Sequence, residues 1–542
     1  MPLPTPNQAW PPAPLANIRP KLEEWDAWYQ GDPGVLTKVY TGRTSTSGQT
    51  VRPSQLAGGV VGALSRFWWG RPVQDLTQQR RAQIHLPIAA DLARVSADLL
   101  YSEPPRLTIG DEGAKPGQAE VKKSTPTQDR LLEYVDDGFH EVLATGAEVG
   151  AALGGRYHRV TWDQDILKRP FLTTVDADAA WPEFRWGRLV AVTFWHVVAD
   201  DGTRVRRHLE RHELDSQGIG ITLHGLYEGT KENLGRVMAL ADDPATAPLA
   251  PLVDADGAII QGRTPGLAVA YVANQTPSRV WRSDPIGKNL GRSDYDQCEP
   301  FFDAADEAYS SLMRDVRLAK ARLIVPSYML ESNGTGRGVS FNLDQEVYEG
   351  MNVPPSDDGA RNEITPHQFD IRVEEHLAVI DDQVQRIIAT AGYSAQTLSD
   401  GFEGGGTMTA TEVQARERRS YLTRDRKIRH ERPALLHLVR KMLTVDTTVF
   451  GTSELDGTEL RVTFADTVQD SALVMAQTVQ ALETARAAST ETKVRMMHPD
   501  WEPEQVQAEV ALILKETAGP LADPFAIGQQ EPEPVPEPIP EG

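Results

Sequence analysis

The sequence predicts a multidomain α+β protein, and three observations carry that prediction. A chain of 542 residues exceeds what one hydrophobic core organises, and its 40% hydrophobic and 24% charged residues are the composition of a globular protein. Turn-punctuated, strand-forming runs fill much of the first 292 residues. From residue 293 the pattern changes to long amphipathic helices.

The N-terminus, MPLPTPNQAWPPAPLANIRP, is rich in proline and reads as an extended arm that does not build the fold. It has neither the cationic start nor the apolar core of a signal peptide, and no run of ~18 apolar residues occurs, so a soluble chain is expected. LPIAADLARVSADLL (86–100) and RLLEYVDDGFHEVLATGAEVGAAL (130–153) have apolar residues at helical spacing. RLVAVTFWHVVADDGTRVRRHLERHEL (188–214) is two β-rich runs joined at Asp201-Gly202, a strong hairpin signal. GITLHGLYEG and the turn at Asp256-Gly257 continue the antiparallel theme.

In SDYDQCEPFFDAADEAYSSLMRDVRLAKARL, Phe301, Ala305, Ala308, Leu312, Val316, Ala319 and Leu323 form one stripe, with Asp303, Asp306, Glu307 and Arg314 on the other side. Short strand-like runs and turns occupy 324–371. A second helix follows, with Val373, Leu377, Ile380, Val384, Ile387 and Ala391 on one face and Glu374, Glu375, Asp381 and Asp382 elsewhere. LSDGFEGGGTMTATEVQARERR then places three glycines before a helix that Thr409 and Glu412 would cap. That helix, 411–445, holds ten Lys and Arg against four acidic residues, and Pro433 inside it predicts a kink. ELRVTF (459–464) reads as a strand, helices run from about 470 to 516, and an acidic, proline-rich tail closes the chain and reads as disordered.

The formal net charge of −22 argues against a protein that grips nucleic acid over a broad surface. Cys298 is the single cysteine, which excludes an intramolecular disulfide and a cysteine-built zinc site within one chain and points to a reducing compartment. GRTSTSGQT (42–50) lacks the spacing and the lysine of a phosphate loop. His208 and His212 share a strand face but stand roughly 13 Å apart at about 3.3 Å per residue, too far for one zinc, so an enzyme using His196, His208 and His212 is the weaker reading. FWWGRP and the tryptophans at 162, 181, 186 and 195 are scattered over several elements, which favours packing over a ligand platform. The cations of the basic helix, spread around its axis at Arg416, Arg419, Arg426 and Arg429, favour a solvated face paired with carboxylates over phosphate contact. No set of residues announces catalysis, and no cofactor is called for.

The order of elements, together with LPIAADLARVSADLLYSEPPRLTI, the FWHVV…HLERHEL…GLYEGT region, SDYDQCEPFFDAADEAYSSLMRD and GGGTMTATEVQARERR, resembles the portal proteins of tailed double-stranded DNA bacteriophages. The resemblance is to the Gp6-like class of long non-contractile-tailed phages, over roughly residues 20–516. It implies a ring of about twelve subunits at one capsid vertex, with no membrane contact and no enzyme activity. It also implies assembly in the host cytoplasm, residence in the virion, and five kinds of partner. These are the major capsid protein, a scaffolding protein, the terminase large subunit, a head–tail connector, and double-stranded DNA passing through.

Carried over, the resemblance divides the chain into an arm (1–20), a mixed wing (21–292), a stem helix (293–321), a clip (322–371) and a second stem helix (372–394). A tunnel loop (395–410), a kinked wing helix (411–458), a crown (459–516) and a tail (517–542) follow. Ser399, Asp400, Phe402, Glu403, Gly404, Gly405, Gly406, Thr407 and Met408 would face DNA in the tunnel loop. Glu307, Arg314, Arg317, Lys320, Glu374, Glu375, Asp381 and Asp382 are the stem candidates for the channel. A helical scaffold protein that forms no ring is the remaining alternative.

Overall fold

The computed structural model describes residues 3–44, 84–110, 125–318, 322–324, 331–332, 339–340, 365–367, 371–394, 410–452, 455–464, 472–498, 501 and 503–517. FWWGRP, the glycine-rich loop, Thr409 of the expected cap, Lys320 and the acidic tail lie outside these residues. Two compact units divide the chain: Met1–Ile109, Pro126–Gly406 and Ala415–Ala465 make the first, and Gly110–Thr125, Thr407–Gln414 and Asp466–Gly542 the second.

The first unit opens with α1 (Arg19–Gln30) and α2 (Pro33–Thr44), followed by α3 (Ile88–Tyr101) and the short strand β1 (Arg106–Ile109). The helix expected over 130–153 is broken. α4 (Pro126–Tyr134) and α5 (His140–Leu153) are separated by a kink at Asp137-Gly138, where Gly138 takes φ 81°, a conformation that glycine adopts without steric cost.

Two antiparallel sheets come next. β2 (Gly155–Thr161) lies between β3 (Phe171–Asp176) and β9 (Val269–Ala273). β4 (Ala180–Arg185), β5 (Arg188–Asp200), β6 (Val205–Leu214), β7 (Gly220–Thr230) and β8 (Asn233–Met238) form a five-stranded meander in chain order. The Asp201-Gly202 turn joins β5 to β6 as expected, and Gly202 sits at φ 87°.

The reading of residues 1–20 as an arm outside the fold needs correcting. Ala9 bridges Asn233, the Tyr227 hydroxyl donates to the Pro4 carbonyl at 2.8 Å, and buried Trp10 meets Trp195 edge-on at 5.3 Å. Leu15 and Ile18 are buried as well. Prolines fix an extended backbone, so laying this segment on the β7–β8 edge of the meander buries apolar side chains at a small cost in chain entropy. A core behind it is built on Trp25 and Trp28 of α1 with Leu92 and Ala93 of α3.

The long helices follow: α6 (Glu299–Leu318) and α7 (Val373–Ala391). Between them β10 (Arg322–Ile324), β11 (Glu331–Ser332), β12 (Val339–Ser340) and β13 (Thr365–His367) pair as β10 with β13 and β11 with β12. The two ends of the 322–371 insert therefore meet. α8 (Ala410–Val445) continues as helix through Pro433. β14 (Leu460–Thr463) pairs antiparallel with β1, so the strand at the start of the expected crown belongs to the first unit.

In the second unit α9 (Ala472–Thr484), α10 (Thr490–Met497) and α11 (Pro503–Thr517) pack in succession. Ser489 caps α10 by accepting the Thr492 amide at 3.2 Å. Among the described residues no helix is long and apolar enough to cross a membrane.

The meander holds an internal histidine row. His196 Nε2 and His208 Nδ1 are 3.0 Å apart, as are His208 Nε2 and His224 Nδ1, while His212 pairs with Glu210 at 2.6 Å. Cross-strand register brings His196 opposite His208 and His224 opposite Glu210. Arg159 from β2 completes the cluster through its ion pair with Glu210. Among the described residues no group of three or more His, Cys, Asp and Glu is placed to hold a metal ion.

Burial, reinforced by the neighbouring histidines, lowers His208 to about 3, and burial lowers His224 to about 4, although Glu210 opposes both shifts. These imidazoles are neutral in the fold and take up a proton on unfolding below about 6.5. Stability is therefore full above that pH and falls as pH drops towards the folded values. Each histidine should cost about 2 kcal/mol by pH 5. The thermal midpoint of the purified protein should fall between pH 7 and pH 5, with a shallower slope in His208→Gln, and a flat wild-type profile would contradict this.

Candidate channel stem and its anchor

α6 and α7 are amphipathic and pack against each other. They run antiparallel: Cys298, just before α6, lies 3.7 Å from the carbonyl of Ile387 late in α7, while Asp315 near the end of α6 meets Arg372 and His376 at the start of α7. Phe302, Ala305 and Leu312 on α6 are buried, as are Ile380, Ile387, Ile388 and Ala391 on α7.

Only part of each expected stripe is covered. Val316, Val373 and Leu377 belong to the apolar stripes, yet they are 41%, 41% and 45% exposed, alongside Ile371 and Val379. This end of the helix pair is left partly exposed, whereas the end near Phe302 and Ile387 is buried. Asp306 departs in the opposite direction. Placed by periodicity on the polar side, it is buried and accepts the Leu86 amide at 2.8 Å, with His85 Nδ1 at 2.9 Å. It anchors the segment leading into α3.

Glu307, Arg314, Glu374, Glu375, Asp381 and Asp382 are all exposed, and Arg386 pairs with Asp382 at 2.8 Å. Arg317 lies in α6, but its side chain is outside the described set, as is Lys320. Asp315 is held below the usual carboxylate range by hydrogen bonds from Arg372 and His376, which tie the two helix ends together.

The other end of α7 is locked by a buried polar cluster. Lys427 of α8 donates to Asp294 Oδ2 at 2.7 Å, Tyr393 OH at 2.8 Å and Ser96 Oγ at 2.5 Å. Tyr393 donates to the same carboxylate at 2.7 Å, and Asn274 and Gln275 donate to Asp294 Oδ1 at 2.8 and 2.7 Å. Burial pushes the Asp294 carboxyl up, but Lys427 and the hydrogen bonds from Tyr393 and Asn274 outweigh it, so its pKa stays below the ordinary value. The cluster sits immediately before the segment 395–410.

The cations of α8 fall into two groups, a solvated set as expected and a buried set that the sequence did not single out. Arg424, Lys427 and Lys441 are buried. Arg424 donates to the Leu99 carbonyl at 2.7 Å, and Lys441 to the carbonyls of Thr264 and Gly266 at 2.8 and 2.7 Å. Burial lowers the Lys441 ammonium to about 8. Glu431 on the same helix forms a buried ion pair with Arg156 of β2. Arg419, Arg426 and Arg429 remain exposed, and Arg419 donates to the Ala389 carbonyl at 2.5 Å. Arg416 lies in the helix, but its side chain is outside the described set.

The family model described as phage portal protein, SPP1 Gp6-like, matches residues 262–519. The match covers just under half of the chain and marks that stretch as similar to the SPP1 Gp6-like portal proteins. The matched stretch contains α6, α7, the insert between them, α8 and the terminal helices. The chain also resembles solved structures. One is a chain of the neck of a native gene transfer agent particle computed with C12 symmetry, at 12% identity and TM-score 0.41, covering 79% of this chain and 94% of that one. Another comes from the virion of the native gene transfer agent particle, at 12% identity and TM-score 0.39, covering 81% and 99%. No curated protein matches the chain.

Proposed function

We propose that this chain forms a ring of about twelve subunits at one capsid vertex, held there by the major capsid protein after assembly with a scaffolding protein in the host cytoplasm. Double-stranded DNA enters and leaves through its centre. The insert at 322–371 docks the terminase large subunit during packaging and a head–tail connector afterwards. The observation that carries this reading is the antiparallel α6–α7 pair within the family-matched segment, with an uncovered apolar end and exposed carboxylates beside it.

Each feature has a physical use in a ring. The uncovered residues gain a neighbour when stems pack side by side. Carboxylates at Glu374, Glu375, Asp381 and Asp382 repel DNA phosphates within a Debye length of about 8–10 Å, so the duplex slides without being gripped. A terminase supplies the work, and the chain itself carries no catalytic role.

Sedimentation velocity tests the assembly: the protein should run as one species many times the 59.7 kDa chain mass, and a monomer at all concentrations would contradict it. The segment 395–410 is assigned as the tunnel loop meeting DNA. Replacing Gly404, Gly405 and Gly406 by proline should leave assembly intact and reduce packaged DNA at least tenfold, because proline fixes φ where glycine leaves it free. Loss of the ring in that variant would show the segment to be structural instead.

A further inference from the structure

Two features of the first unit fit each other and are used by nothing described so far. Trp186 stands at the tip of the β4–β5 hairpin and is 97% exposed, so it packs on nothing in its own subunit. It takes φ 52° and is followed by Gly187 at φ 76°, a two-residue turn in which asparagine or aspartate is normally found at the first position. A bulky residue there is sterically disfavoured, and a local rule broken on the surface points to a function. Arg185 and Arg188 flank it, both exposed.

The second feature is a cavity of about 270 Å³ lined by Tyr134, Phe139, Leu167, Phe171 and Met442, with Asp137 at its polar side. It opens beside the kink at Asp137-Gly138 between α4 and α5. A cavity of ~150 Å³ holds benzene, so this one has room for an indole. Asp137, which Arg169 holds in place, offers an acceptor for the indole N–H. The segments that line the cavity also carry exposed Asp136, Asp165 and, at 68%, Ile166. Lys168 and Arg169 also lie on these segments, but carboxylates outnumber them, so an apolar hole with a net acidic rim matches an aromatic knob flanked by two arginines in shape, polarity and charge.

We infer that Trp186 of one subunit seats in this cavity of the next copy of the chain, with Arg185 and Arg188 meeting the carboxylates around it. A knob and a hole at different places on one subunit make a head-to-tail contact, the kind that closes rings. The inference rests on the ring reading for its partner.

Trp186→Ala should raise the concentration at which rings dissociate at least tenfold. The circular-dichroism melting of the subunit should stay unchanged, because the residue touches nothing within it. Replacing Trp186 with benzoylphenylalanine and irradiating the assembled protein gives a direct map. Adducts joining two chains are expected in the peptides around 134–142, 167–173 and 442. Rings that form in the wild type while the adducts are absent or map elsewhere overturn the docking and leave the ring standing. A wild-type protein that never assembles overturns both.

Discussion

Leu377→Asp is expected to leave the subunit folded and abolish ring assembly. Leu377 is 45% exposed and lies in the uncovered group with Val373, Val316 and Val379, so the subunit does not depend on it for its core. In a ring the same side chain would be buried against the neighbouring stem. A buried, unpaired carboxylate costs several kcal/mol at each contact, and the cost recurs at every identical interface. Sedimentation velocity should show the variant as monomers or short fragments with wild-type circular dichroism. Normal rings in normal yield would remove the stem from the assembly interface. Leu377→Met, which keeps an apolar side chain of similar volume, should assemble.

Lys427→Met is expected to destabilise the subunit by about 3–5 kcal/mol, because it leaves the Asp294 carboxylate buried without its cation. The same substitution at exposed Arg426, one residue earlier on α8, should change stability by less than about 0.5 kcal/mol. Denaturant unfolding of both variants gives the comparison. The effect should also be local: Tyr393 and Ser394 lie at the end of α7, and protease cleavage near them should accelerate in Lys427→Met. Equal stabilities for the two variants would mean that the cluster does not hold α7 to α8.

The contrast between these neighbours shows where sequence reasoning succeeds and where it stops. Asp201-Gly202 and the flanking alternation are local, and the β5–β6 hairpin formed where they placed it. The periodicities of α6 and α7 likewise gave two amphipathic helices bracketing an insert. Periodicity says which residues share a face but not how far along a helix the cover extends, so the exposure of Val373 and Leu377 is not legible in it. Asp306 was misplaced because its partners, His85 and Leu86, are 221 and 220 residues away in sequence.

Distance in the chain explains the other gaps too. β14 pairs with β1 across some 350 intervening residues, a contact no local pattern encodes. Lys427 looks like every other cation of a basic helix until Asp294, Tyr393 and Ser96 arrive from three other parts of the chain. His224 was overlooked because its role depends on strand register, whereas the separation of His208 from His212 follows from strand geometry alone. Trp186 was grouped with packing tryptophans. The signal that could have set it apart is the Trp-Gly pair between two arginines in a hairpin turn.

The most direct test of the account is a cryo-electron microscopy reconstruction of the purified protein. It should show a closed ring of about twelve subunits in which α6 and α7 line the central channel, with Val373 and Leu377 buried between neighbours and carboxylates among Glu374, Glu375, Asp381 and Asp382 facing the opening. A monomer, or a ring whose stem helices lie on the outer surface away from the channel, would contradict it.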